Sequence, residues 1–591
     1  MTVGAIAGIM SRDGAPSATT VETMLRAAPH RGHDVRTEAL GRSVVGITAG
    51  DAGFAHLGRH GGWACVLLGP LDNASELAAD LGLDADNPAA VVAAAFDRWQ
   101  VDAVARLRGS FAGMVTDGDR LWAFRDHIGG RPFFYRDDGR TWWGATEAKQ
   151  VAAGAGIPRR PNLDAITRTY YRGVTEESAL AGVQRLMYGS VLAVDRSGSH
   201  TSRHWDPSAS LLESTLMTPE DAREQLVDVL DTVISRSVHG ADVIALSGGI
   251  DSPVVAAFSA PRHLQLSGRP IGAYTFIYPD QPTTDESKYT RLVAESLGIE
   301  LSEVVPTAGP LDEIERWVTL ADGPWDSLPM AVAAQGYQRA RELGGTQILT
   351  GTLAEYVYTV NPFVLGHLAS HARFSALTEQ LRIRRAGGRT WPSLTKQLAR
   401  ELTPAPAGRF YAWARRRRSG FAPPWADPIA MGAARYPSSL RNPVRRRWEL
   451  PTLQSTKGTT TTSEAIEACA ASLGITVRNP LADRDLWEFF LKLPVEIKFP
   501  DTTPKSLVRQ AMRGRLPDEI LDRRDKTVFD ENVLATVPWD TLDRYLGDPP
   551  ERLAGIDYGL LAERLLERNV HPVELVWAYD LCAVHAFLET F

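Results

Sequence analysis

The hydrophobic pattern of the chain changes character near position 205. Before that point, short apolar runs alternate with Gly and Asp turns: Trp63-Ala64-Cys65-Val66-Leu67-Leu68, Phe111-Ala112-Gly113-Met114-Val115, Leu121-Trp122-Ala123-Phe124 and Trp142-Trp143-Gly144. Runs of this length and composition predict stacked β-sheets, with a helix over Pro88 to Trp99. Beyond it, strand-like and helix-like segments alternate. Thr218-Pro219-Glu220-Asp221 combines a capping hydroxyl, a first-turn proline and acids that complement the helix dipole, and Leu226, Leu230 and Val233 follow at helical spacing. Val243 to Leu246 reads as a buried strand, Ser252 to Ala257 as the start of a helix, and Ile271 to Ile277 as a second strand. Asp285 to Leu297 reads as a helix and Thr346 to Gly351 as a further strand. Such alternation predicts a doubly wound parallel sheet, whose ligands bind beyond the carboxyl ends of its strands.

The segment Ser247-Gly248-Gly249-Ile250-Asp251-Ser252 falls at one of those ends, between strand and helix. Two glycines let backbone approach a ligand, and unpaired N–H groups at the start of a helix favour phosphate. Ser247 and Ser252 add hydroxyl donors. A carboxylate, Asp251, inside an anion-binding turn points to a Mg²⁺ that joins it to phosphates. A Walker loop requires Gly-Lys-Ser/Thr, and the chain has no Gly-Lys dipeptide.

Composition narrows the setting. With 591 residues and 44% hydrophobic content, the chain is long enough for more than one packed core. Cys65, Cys469 and Cys582 have spacings that match neither a metal motif nor a disulfide framework, so a reducing, cytoplasmic location is expected. No apolar run reaches membrane-spanning length, and the start Met1 to Ile6 lacks a basic signal region. The net charge of −7 hides a basic stretch from Arg382 to Arg447, where 16 Lys and Arg stand against Glu401 and Asp427. This stretch suits an acidic peptide or pyrophosphate, or a solvated face, and its aromatics form no recognisable nucleic-acid module.

Several motifs carry a family resemblance. Ser-Gly-Gly-Ile-Asp-Ser resembles the pyrophosphate loop of the asparagine synthetase superfamily, whose members split ATP into AMP and pyrophosphate. In the first 205 residues, Gly4-Ala5-Ile6-Ala7-Gly8-Ile9, His30-Arg31-Gly32-His33-Asp34, Leu107-Arg108-Gly109-Ser110-Phe111-Ala112, Arg131-Pro132-Phe133-Phe134-Tyr135 and Ala145-Thr146-Glu147-Ala148-Lys149 resemble, in order and spacing, that superfamily's glutamine amidotransferase domain. The implied architecture is α/β: an Ntn-type glutaminase-like β-sandwich over residues 1–205 and an adenine-nucleotide α-hydrolase-like synthetase domain over 215–591, with a basic insertion at about 382–460. The family's glutaminase nucleophile is a cysteine, and the matching position is Gly4. The resemblance therefore implies a degenerate glutaminase domain.

In the second domain, Asp285-Glu286-Ser287 resembles the family's acidic pair, and a dipole-complementing cap explains it equally well. Thr350-Gly351-Thr352-Leu353-Ala354-Glu355 stands where the family has Ser-Gly-Glu-Gly-Ala-Asp, with Glu355 in place of the metal-binding Asp and Leu353 in place of the second glycine. In β-lactam synthetases the position of Thr352 is a catalytic tyrosine, a role Thr352 cannot fill. Asn479-Pro480-Leu481-Ala482-Asp483-Arg484, Lys505-Ser506-Leu507-Val508-Arg509 and Leu516 through Thr527 also follow the family. The resemblance implies ATP and pyrophosphate contacts from Leu246, Ser247, Gly248, Gly249, Ile250, Asp251, Ser252, Phe276, Thr350 and Gly351, Mg²⁺ ligation by Asp251 and Glu355, and catalytic roles for Lys505 and Lys526. With only eight lysines against 56 arginines, two lysines inside motifs stand out.

The combination of a degenerate glutaminase domain with Leu516-Pro517-Asp518-Glu519-Ile520-Leu521-Asp522-Arg523-Arg524-Asp525-Lys526 looks most like the lasso peptide cyclases. That likeness implies adenylation of an Asp or Glu side chain in a precursor peptide and closure by the peptide's own N-terminal amine, with a leader protease and a leader-recognition protein as partners. A β-lactam or other small-molecule amide synthetase, an asparagine synthetase and a catalytically silent scaffold are the alternatives.

Overall fold

The computed structural model describes residues 2–171, 175–207, 217–325, 329–359, 363–403, 423–427, 460–525, 527, 529–549, 551–568 and 570–591. In the first 205 residues, β1 (Ala5–Ser11), β2 (Asp34–Leu40), β3 (Ser43–Ala49), β4 (Ala55–His60), β5 (Trp63–Leu68), β6 (Ala112–Thr116), β7 (Leu121–Arg125), β8 (Phe134–Asp137), β9 (Thr141–Ala145), β10 (Gln184–Arg185), β11 (Ser190–Asp195) and β12 (Gly198–Arg203) form two antiparallel sheets. Their orders are β10-β8-β9-β1-β3-β2 and β12-β11-β7-β6-β5-β4.

Period-two alternation decides the layering. Ile6, Met10, Val45, Val66, Met114, Ala123 and Leu192 meet between the sheets. Their neighbours point outward: Ala5, Ala7 and Ile9 pack on α1 (Ala18–Arg26) and α3 (Ala148–Ala155), while Cys65, Leu67, Val115 and Phe124 pack on α2 (Pro88–Trp99). The result is four layers, helix, sheet, sheet and helix, rather than a bare sandwich.

The second domain opens with α4 (Pro219–Ser235), where Thr218 and Asp221 form a reciprocal capping box. Then come β13 (Asp242–Ala245), α5 (Asp251–Ser267), β14 (Gly272–Phe276), α6 (Ser287–Leu297), β15 (Glu300–Val304), α7 (Met330–Glu342) and β16 (Gln347–Leu349). After these follow α8 (Ala354–Tyr358), α9 (Thr460–Ser472), β17 (Thr476–Arg478), α10 (Ser506–Ala511) and α11 (Pro572–Leu588). The five strands are parallel in the order β15-β14-β13-β16-β17. Strand order reverses between β13 and β16, so the loops after these two strands flank the crevice where doubly wound sheets bind ligands.

The expected helices are present, whereas β15 and β17 are strands that hydrophobic pattern does not announce. β15 is an edge strand with the sequence Glu-Leu-Ser-Glu-Val, and β17 has three residues. Of the basic stretch, residues 404–422 and 428–459 lie outside the described residues; the helices Phe374–Ala386 and Trp391–Leu402 carry its first part.

Buried ion pairs join the domains. On α9, Glu464 accepts from Arg185 Nε at 2.8 Å and from Arg125 Nη1 at 3.3 Å, and Glu467 accepts from Arg31 Nη1 at 3.0 Å and Nη2 at 2.5 Å. Arg31 also donates to Glu147. The ammonium of Lys149 then links Glu147 Oε2 at 2.8 Å to Asp322 Oδ1 of the other domain at 3.4 Å. Breaking a buried pair from one side is expensive because the partner charge stays buried. Glu464→Ala, which strands Arg125 and Arg185, is expected to lower stability by about 3–5 kcal/mol in urea unfolding. Arg382→Ala, on an exposed helix face, is expected to stay within about 0.5 kcal/mol of the parent.

Candidate active site

The loop after β13 is held from both sides. Leu246 N–H donates to Tyr274 O of β14 at 2.9 Å, and the Leu246 and Ile250 side chains sink into the core. Ser252 Oγ accepts from Ser247 N–H at 2.8 Å and lies 3.0 Å from Ser247 Oγ, so the two hydroxyls close the turn on each other. A Cβ at Gly248 would lie 2.8 Å from Glu286 Cβ and 3.0 Å from Tyr289 Cβ. At Gly249 it would meet only Ser247 Oγ, at 3.6 Å, which leaves this face of the turn open to a ligand. Gly351, after β16, presses on the same turn: a Cβ there would lie 2.5 Å from Ser252 N and 2.7 Å from Asp251 C. The two loops of the switch point therefore interlock through a glycine.

Asp251 begins α5 and meets Lys505, whose Nζ donates to its Oδ2 at 2.5 Å. Burial nevertheless outweighs the lysine and pushes the Asp251 carboxyl up, and the charge of Glu355 pushes it the same way. Asp251 Oδ1 is shut from solvent and has no hydrogen-bond partner. Among the described residues no group of three or more His, Cys, Asp or Glu side chains could hold a metal. Mg²⁺ needs less from protein, since it takes one or two carboxylates and fills the rest of its shell with phosphate oxygens and water. An unsatisfied buried carboxylate oxygen that feels the charge of the exposed Glu355 fits that requirement.

Leu353, which replaces a glycine of the resembling motif, keeps the left-handed backbone at φ 70° that glycine adopts freely. Lys505 shares that conformation at φ 60°. Strain at two non-glycine positions thus flanks the carboxylate pair. Thr350 is nearly buried, and its hydroxyl donates to Asn479 Oδ1 at 2.6 Å, so it ties β16 to the segment after β17 instead of standing free. Lys526 lies outside the described residues.

The acidic pair divides its work. Asp285 caps α6, accepting from Tyr278 N–H at 2.8 Å and Ser287 N–H at 3.3 Å. Glu286 reaches the loop, where its Oε2 accepts from Gly248 N–H at 2.9 Å and its Oε1 from Arg523 Nη1 at 3.0 Å and Thr527 Oγ1 at 2.6 Å. Arg523 also donates to Gly248 O at 2.7 Å and stacks over Tyr289 at 4.1 Å. Arg523, with Thr527, thereby fastens the far side of the turn.

Beyond Phe276, at the end of β14, lies a cavity of about 680 Å³. Phe276, Tyr278, Leu311, Trp325, Val332, Phe529 and Tyr579 line it, with Asp280 and Asp580 at its polar edge. Gln281 Oε1 and the Tyr579 hydroxyl, both buried and without hydrogen-bond partners, also belong to its wall.

In the first domain, Gly4 sits at φ 88°, and a Cβ there would come within 2.5 Å of Ala55 Cβ and 2.8 Å of Thr48 O. The position where the resembling domain carries its thiol has no room for a side chain. Cys65 is buried in β5 with its thiol pushed up by burial, and burial pushes the Cys469 thiol up to about 12. Neither presents a nucleophilic thiolate. No helix among the described residues is long and apolar enough to cross a membrane.

The sequence model of asparagine synthase matches residues 229–579, and that of a glutamine amidotransferase domain matches residues 3–205. The glutamine-hydrolyzing asparagine synthetase 3 of Bacillus subtilis (strain 168) is 23% identical over 82% of this chain and 78% of its own length. The carboxyethyl-arginine β-lactam synthase of Streptomyces clavuligerus is 27% identical over 48% of this chain and 53% of its own, so that match spans about half of each protein. A solved glutamine phosphoribosylpyrophosphate amidotransferase from B. subtilis is similar at 14% identity and a TM-score of 0.27, over 59% of this chain and 81% of that one.

The interlocked glycines separate folding from binding. Gly351→Ala should displace the turn, lowering both the melting temperature and the affinity for ATP in calorimetric titration. Gly249→Ala should leave unfolding within about 0.5 kcal/mol of the parent, because its Cβ points into open space, yet weaken ATP binding.

Proposed function

Because the chain belongs to the asparagine synthase family of ATP-dependent amide-forming enzymes, we propose that it closes a macrolactam within a peptide, as a lasso peptide cyclase does. The observation that carries this reading is the contrast between its two halves. The turn Ser247 to Ser252 keeps an open face at Gly249 and a carboxylate braced by Lys505, while Gly4 leaves no space for a thiol. A site of this kind activates a carboxylate but receives no ammonia from glutamine, so its amine arrives with the substrate.

Two steps follow. A side-chain carboxylate of the peptide attacks the α-phosphorus of ATP, forming the acyl–phosphate bond as the bond to pyrophosphate breaks. The backbone N–H groups of the turn that Ser252 and Glu286 do not already occupy, the α5 N-terminus and Lys505 receive the departing negative charge. Asp251 and Glu355 are the residues that would hold a Mg²⁺, which would supply Lewis-acid neutralisation of the phosphates. The peptide's N-terminal amine then attacks the acyl carbon, the amide C–N bond forms, AMP leaves and the amine gives up a proton. The cavity beside Phe276 is wide and apolar enough for peptide side chains. Lys526 is assigned to the active site on the resemblance, and the peptide, its leader protease and its leader-recognition protein are the partners this reading requires.

A second reading, a small-molecule amide synthetase, is favoured by the match to the β-lactam synthase of S. clavuligerus. Release of AMP and pyrophosphate from Mg-ATP separates the readings. AMP formed only with a leader-free peptide bearing the ring acid, together with a product lighter by one water, is the expected result. AMP formed with free aspartate would indicate an asparagine synthetase, AMP formed with a β-amino acid would indicate a ring-closing small-molecule enzyme, and none with any substrate would indicate a scaffold.

A further inference from the structure

Tyr358, the last residue of α8, is 2% exposed, and its ring packs against Phe490 with centroids 5.3 Å apart. Its other neighbour is Lys505, whose ammonium stands 5.8 Å from the ring centre while holding Asp251 Oδ2 at 2.5 Å. The Tyr358 hydroxyl is buried and makes no hydrogen bond, and the second oxygen of the same carboxylate, Asp251 Oδ1, is in the same condition. A phenol hydroxyl can donate a hydrogen bond as well as accept one.

The Tyr358 hydroxyl and Asp251 Oδ1 are thus both buried without a partner, which is costly for a polar atom. A phenylalanine would fill the same space against Phe490 without that cost, so the hydroxyl is not explained by packing. We propose that Tyr358 is a positioning residue of the nucleotide site, whose hydroxyl donates to the oxygen shell that assembles against Asp251 Oδ1 when Mg-ATP binds. That oxygen is either a phosphate oxygen or a water on the cation. The inference rests on the reading of the turn Ser247 to Ser252 as an ATP site.

Thermal unfolding and calorimetric titration test it with Mg²⁺ alone, Mg-ATP, and ATP in EDTA, on the full chain and on Tyr358→Phe. Without ligand, Tyr358→Phe should melt at the same temperature as the parent or higher, because it removes a buried hydroxyl that nothing satisfies. With Mg-ATP it should lose much of the ligand-induced rise in melting temperature and bind about tenfold or more weakly, the loss expected for a hydrogen bond to a charged group. A deficit that persists in EDTA assigns the phosphate oxygen, and one seen only with Mg²⁺ assigns the metal-bound water. Tyr358→Leu, which also lacks the hydroxyl, must show the same deficit. A Tyr358→Phe protein that melts lower without ligand and binds Mg-ATP as the parent does would overturn the proposal and make Tyr358 a packing residue. A parent protein with no response to Mg-ATP would instead overturn the ATP-site reading, and this inference with it.

Discussion

The second domain depends on two carboxylates of α9 buried among arginines of the first. Glu464 and Glu467 are 7% and 6% exposed, and Arg31 and Arg125 are fully buried. None of these charges could remain there alone. The constraint passes along the chain: α9 leads into β17, β17 pairs with β16, and β16 ends at Thr350-Gly351, which presses on the turn after β13. Arg478 of β17 adds its own anchor, donating to Asp72 of the first domain at 2.7 Å. The first domain, with no room for a side chain at Gly4, therefore still has a physical task, since it fixes one edge of the parallel sheet and through it the register of the nucleotide turn.

At the turn itself, local strain and charge gather within one crevice. Leu353 and Lys505 accept left-handed backbone, and Asp251, paired with the Lys505 ammonium, also feels the charge of Glu355. The Glu286 carboxylate occupies Gly248 N–H, an oxygen in a place suited to an anionic ligand. Gly249 faces open space beside it. The left-handed backbone at Leu353 and Lys505 and the unsatisfied Asp251 Oδ1 each cost stability, and they converge within one crevice at the switch point, the pattern expected of a functional site.

Much of this was legible in the sequence. The helix over Pro88 to Trp99, the Thr218 cap and the strand-turn-helix around Ser247 to Ser252 follow from periodicity and cap chemistry, and the structure has them. β15 and β17 were not legible because an edge strand and a three-residue strand exist through pairing with β14 and β16, which no local pattern records. Lys505 was singled out by the scarcity of lysine, and it meets Asp251. Glu286 and Asp285 read as interchangeable acids, and only the tertiary fold sends one to the cap and the other to Gly248. Leu353 looked like the loss of a glycine, yet the backbone keeps glycine's conformation. Tyr358 left no signal, because a tyrosine on the buried face of a short helix is indistinguishable in sequence from a core aromatic.

The proposed intramolecular amine changes what the site must provide. Ammonia has to be generated and retained, whereas an amine on the same molecule as the activated carboxylate needs only to be held near it, and fixing two reacting groups supplies up to about 7–11 kcal/mol of the barrier. That gain depends on a rigid wall more than on added catalytic groups. The cavity beside Phe276 has such a wall, with aromatic residues from β14, the Tyr278 loop and α11 meeting around it. The ion pairs that lock α9 against the first domain hold the sheet that positions Phe276. The first domain, whose arginines hold α9 in place, thereby contributes to the stiffness of that wall.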